Sequence, residues 1–174
     1  SDPTFAAITL TPRSIAMKTL ISRELFEDSL NLESELPRIL SEALAKEIDR
    51  VCLMGSGSAP EPRGIANQAG IGTTALGGAL TSYSPLIAAE TGILSGNAGP
   101  LSAIIAHPRE LGDLAALTDT TGQSLRRPEA LASIPLLSTT AIPIDGGAGS
   151  NESSIFVGNF NHLLIGVRSG IRVE

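Results

Sequence analysis

Between Leu32 and Cys52 apolar residues return at steps of three and four: Leu32, Leu36, Ile39, Leu40, Ala43, Leu44, Ile48, Val51 and Cys52. That period belongs to an α-helix with one apolar stripe, and Glu33, Arg38, Glu42, Lys46, Glu47, Asp49 and Arg50 fall largely on its other surface. Asp28, Ser29, Asn31 and Ser34 are all candidate caps, and Gly55 after Met54 is a natural left-handed stop. The element therefore spans roughly 20 to 25 residues, nearly twice the usual globular helix. With Ser34 as the cap, Pro37 falls in the first turn, where its missing N–H does no harm; a start at 28–31 places it inside the helix, with a kink. A single-stripe helix of this length needs a large surface to lie on. Leu40 and Leu44, at the centre of the stripe, are expected to be well buried against a sheet.

The remainder of the chain can supply a core, but only an aliphatic one. Of 174 residues, 42% are apolar and 17% charged, with no Trp, one Tyr and four Phe. So few aromatics argue against a base-stacking nucleic-acid platform or a carbohydrate cleft. The net charge of −6 is split evenly, with six Lys/Arg against nine Asp/Glu on each side of residue 54, and no basic patch tracks a phosphate backbone. Cys52 is the single cysteine and lies on the apolar stripe, so it reads as a small buried hydrophobe, and no disulfide can form within the chain. No apolar run approaches the roughly 18 residues of a membrane span, and the first residues lack the pattern of a signal peptide. The expectation is a soluble protein made in a cytoplasm.

Charge density drops at Gly55. Before it 15 of 54 residues are charged, after it 15 of 120, and Gly, Ala, Ser, Thr and Pro take over. An elongated first part and a compact second part are expected. In the first, residues 5–10 and 13–23 look extended, with Ile15, Met17, Thr19 and Ile21 alternating against their neighbours, while Pro12 disfavours a central strand. The second reads as α/β: a helix opened by Ser84-Pro85 and stopped at Gly96, a strand over 101–106, a helix from His107-Pro108 carrying Leu111, Leu114, Ala115 and Leu117, a turn at 119–122, and strands over 134–138, 155–158 and 163–173.

Residues that carry chemistry are sparse. Gly55-Ser-Gly57, Gly70-Ile-Gly72 and Gly146-Gly-Ala-Gly149 have neither the Gly-Lys-Ser/Thr sequel of a phosphate loop nor the strand-to-helix context of a dinucleotide fingerprint, and they read as turns. His107 and His162 stand apart from other ligand types, so capping or surface roles fit them better than catalysis. Glu24, Glu27 and Asp28 form the densest acidic cluster, explained by a turn at a positive helix end. Arg126-Arg127-Pro128 reads as a solvated or interface loop. No catalytic, cofactor-binding or metal-binding residue is assigned, and no cofactor is implied.

Several patterns in order are more specific than any one of them: an extended segment leading to Leu20-Ile-Ser-Arg-Glu-Leu-Phe-Glu-Asp-Ser29, the long helix, Gly55-Ser-Gly-Ser-Ala-Pro-Glu-Pro-Arg-Gly-Ile65, His107-Pro-Arg-Glu-Leu111, the 119–122 turn, and Ile134-Pro-Leu-Leu-Ser-Thr139 followed by Pro143. From about Thr4 to its end the chain resembles the major capsid proteins of tailed phages with the Hong Kong 97 fold. The resemblance implies an α+β fold: residues 1–63 as part of the peripheral domain, with residues 34–54 as its spine helix, and residues 64–174 as an α/β axial domain whose end returns toward the peripheral domain. It implies a structural, non-enzymatic subunit that self-assembles into pentamers and hexamers of an icosahedral head shell enclosing DNA, with scaffold, protease and portal proteins as further partners. Synthesis in the bacterial host and residence in the virion follow, with no sequence-specific nucleic-acid contact and no membrane.

Relative to that family the chain starts after the N-terminal arm and the first half of the extended loop, and stops before the closing strands and helix. It is expected to be a fragment that forms weak rings and not closed particles. Positions for the family's Lys–Asn crosslink lie outside it, so no such residue is transferred. Two rival readings are an encapsulin-like cage subunit and a small-ligand-binding α/β domain or enzyme. The first would hold a cargo peptide, and the second would show a concave pocket with convergent polar groups.

Overall fold

The computed structural model describes residues 9–23 and 32–168, and these fall into two compact units. One takes in the described residues through Ala69 together with 164–168; the other is Gly70–Leu163. Among the described residues, helices combined with one small sheet make an α+β fold. The acidic cluster Glu24, Glu27 and Asp28, the candidate caps Asp28, Ser29 and Asn31, and residues 169–173 lie outside the described residues.

The first unit is built on α1, Leu32–Met54, whose 23 residues span about 35 Å. The helix is already under way at Leu32, so Ser34 is not its cap, and Pro37 lies in the second turn, where it deletes one main-chain bond. Ser41 Oγ donates to the Pro37 carbonyl at 2.7 Å. Beyond Met54 the chain doubles back in a tight hairpin: Ser56 and Arg63 form an antiparallel bridge, Gly57 turns at φ 77°, and the Gly64 N–H donates to the Gly55 carbonyl at 2.9 Å. Glycine is required where these backbones meet. A Cβ on Gly64 would lie 2.7 Å from the Val51 carbonyl oxygen and 2.8 Å from the carbonyl carbon of Leu53. A short 3₁₀ turn, Ile65–Asn67, follows, and Asn67 Nδ2 donates to the carbonyls of Met54 and Gly55 at 3.1 and 2.9 Å. These bonds hold the 3₁₀ turn to the helix end, and the second unit begins at Gly70.

In the same unit, residues 9–22 and 164–168 take no regular secondary structure. Alternating apolar residues suit a pleated face, but a strand exists only where another strand completes its hydrogen bonds. None pairs with them among the described residues.

The second unit orders α2 (Ser84–Ser95), β1 (Ala103–Ala106), α3 (Pro108–Ala115), α4 (Glu129–Ala132), β2 (Leu136–Ser138) and β3 (Phe156–Gly158). The sheet runs β2-β1-β3, with β1 parallel to β2 and antiparallel to β3. The register sets Ile104 beside Leu136 and Val157 on one face, and Ile105 beside Leu137 and Phe156 on the other. The main core lies on the Ile104 face, where Ile104 and Leu131 are fully buried among Leu80, Leu86, Leu114, Leu117 and Ile134. Burying each of those two side chains stabilises the unit by about 1.5–3 kcal/mol. Tyr83 Oη donates to the Leu114 carbonyl at 3.1 Å, tying the start of α2 to the end of α3. The strands are shorter than the apolar runs that signalled them, and, among the described residues, 163–168 join no strand ladder.

Candidate functional site

Two charged groups brace the end of α1. Arg50 grips Glu47 through Nε and Nη2 at 2.9 and 2.7 Å and reaches Glu61 at 2.6 Å. The Ser56 N–H donates to the other Glu61 oxygen at 3.0 Å. That amide, and then Arg50, hold the Glu61 carboxyl down at about 2, and bonding to Glu47 and Glu61 raises the Arg50 guanidinium further above its ordinary value. The Glu47 carboxyl is likewise lowered by Arg50. Further up the helix Arg38 bridges Glu35 and Glu42 at 2.7 Å on an exposed face. Pairs as exposed as these contribute little stability.

The apolar stripe of α1 meets far less of the chain than its length invites. From Leu32 to Arg50 no described side chain is buried; burial begins at Val51 and Leu53. Leu40 and Leu44, expected to be well buried, are only half-buried, and Ile39 is 50% exposed. The described residues of this unit contain no sheet for the stripe to lie on. Leu20, Leu164 and Val167 are more exposed still, at 85%, 70% and 79%.

In the second unit two arginines brace the loops at opposite ends of the strands. At the end where β1 finishes, Arg109 Nη2 and Nη1 donate to the carbonyls of Asn151 and Ile144 at 3.0 and 3.4 Å, and Glu110 holds its guanidinium at 2.8 Å. At the end where β2 begins, Arg127 donates to the Ile134 carbonyl. Arg126 is exposed beside it. Asp119 folds its carboxylate onto its own turn, taking the Thr121 hydroxyl and the N–H groups of Gln123 and Thr121; these bonds lower its pKa.

The residues singled out for possible chemistry stay apart. His107 is the N-cap of α3, its Nδ1 accepting from the Arg109 N–H at 3.1 Å, and His162 ends a short exposed 3₁₀ turn. Cys52 is half-buried on α1, and burial pushes its thiol up, away from the reactive thiolate. The glycine clusters form turns, Gly57 and Gly147 at positive φ. Among the described residues no three His, Cys, Asp or Glu side chains gather at metal-binding distance, and no helix is long and apolar enough to cross a membrane. Sequence reading passed over Glu61, Arg109 and Tyr83. The Arg50–Glu47 spacing announces that pair, but Arg109 binds backbone carbonyls, which leave no mark in side-chain patterns.

The sequence model of the phage capsid family matches residues 1–174. The chain belongs to the phage capsid family. Among curated proteins none matches it. As a phage capsid protein it is a structural component of the virion, in a family that is not enzymatic.

Proposed function

We propose that this is a major capsid subunit with the Hong Kong 97-type fold, whose copies self-assemble into the icosahedral shell that encloses phage DNA. In this reading the first unit is part of the peripheral domain with α1 as its spine helix, and the second unit is the axial domain that meets neighbours around five- and sixfold axes. Synthesis in the bacterial host cytoplasm and transient contacts with scaffold, protease and portal proteins complete the picture. The observation that supports it is the half-covered stripe of α1: the long amphipathic helix of a phage capsid protein leaves its apolar side chains for other protein to cover. The acidic balance of the chain fits confinement of DNA without sequence readout.

Electron microscopy of the natural gene product expressed alone in bacteria tests the proposal. Closed shells of uniform size are the expected result. Monodisperse monomers carrying a bound small molecule would favour a ligand-binding domain instead, and shells loaded with a host protein would favour a cage.

A further inference from the structure

At one end of its sheet the second unit exposes Arg126, and at the other it exposes Asp145 and Glu152. We infer that Arg126 of one copy docks against Asp145 and Glu152 of the next, making a head-to-tail contact between second units. The inference rests on the reading of this unit as the part that meets neighbouring copies.

Three observations support it. First, the two loops lie at opposite ends of the strands. Ile104 takes the Pro135 carbonyl at the start of β2, where Arg127 grips Ile134, while Ala106 accepts from Thr139 at the far end, where Arg109 grips Ile144 and Asn151. Second, each loop is tied to its end of the sheet by an arginine, Arg127 through the Ile134 carbonyl and Arg109 through those of Ile144 and Asn151, and such ties reduce the entropy lost on docking. Third, Arg126 has no partner within its own unit. Arg109 is engaged by Glu110 and Arg127 by the Ile134 carbonyl, and Arg126 makes no ion pair even with Glu129, three residues away. At the other end Asp145 and Glu152 are exposed and make no ion pair either. Unlike charges at opposite ends of one body complement each other by translation and rotation, not by a twofold axis, which is the geometry of a ring. Such rim charges govern association rate and partner choice more than total affinity.

The test is a charge exchange in the whole chain. One variant carries Arg126→Glu, the other Asp145→Arg with Glu152→Arg, and each is first shown by circular dichroism and melting to be as folded as the parent. Sedimentation at matched concentration should show association of each variant alone weakened about tenfold or more. An equal mixture should regain it, since every contact between unlike copies then joins opposite charges, and added salt should weaken both the parent and the mixture. Parent-like association of Arg126→Glu alone would overturn the inference while leaving assembly by other contacts standing. So would a mixture that stays as weak as its parts or that stops at dimers. A parent chain that is monomeric at every concentration would overturn the inference together with the reading beneath it.

Discussion

At the scale of single residues, the hairpin after α1 shows how backbone packing dictates side chains. Gly55 and Gly64 are both buried, and a methyl on Gly64 has backbone on more than one side of it. Gly64→Ala should therefore cost about 1–3 kcal/mol. Gly72→Ala, where nothing lies within 4 Å, should stay within about 0.5 kcal/mol of the parent. Urea unfolding of the two variants measures the difference, and equal losses would refute the close approach. Glu61 supplies a pH test. Its folded pKa of about 2 lies below the ordinary 4.5, so its contribution is present above about pH 4.5 and is lost as the pH falls toward 2. The gap in melting temperature between the parent and Glu61→Gln should be constant above about pH 5 and close toward pH 2. A gap that does not change over that window would mean the Arg50 and Ser56 contacts do not persist in solution.

At the scale of elements, what was legible and what was not divides by the range of the forces involved. α1 and α2 stand where periodicity, Pro85 and Gly96 placed them, and α3 starts at Pro108 as expected but ends at Ala115, short of Leu117, because start signals act within a turn or two of the helix. His107 as the cap of α3 was legible for the same reason. The four-residue α4 was missed, being too short to show a period, although its Leu131 is among the most buried side chains of the unit. Alternation in 13–23 and the apolar run at 163–173 suggested strands, but pairing is decided by distant residues, and the described parts of both stretches form no ladder with other described residues. The burial of Leu40 and Leu44 failed on the same point: a stripe states which face is apolar, not what covers it. Two substitutions put this division on an energy scale. Leu131→Ala should cost about 2–5 kcal/mol, because it opens a cavity in the closed core. Ile39→Ala in the unassembled chain should change stability by less than about 0.5 kcal/mol, because half of the side chain is already in solvent. A large loss at Ile39 would show that the stripe is covered within a single copy.

At the scale of the whole molecule, membership in the phage capsid family and the surface of the chain point the same way. A net charge of −6 with no basic run in the sequence predicts no steep salt-dependent binding to duplex DNA, and a log–log slope indicating several phosphate contacts would contradict that. The central claim is that copies of this chain cover one another's apolar surface. Light scattering combined with electron microscopy, on the chain from dilute to concentrated solution, tests it most directly. The account predicts monomers that pass into pentameric or hexameric rings as concentration rises. Monomers at every concentration would contradict it.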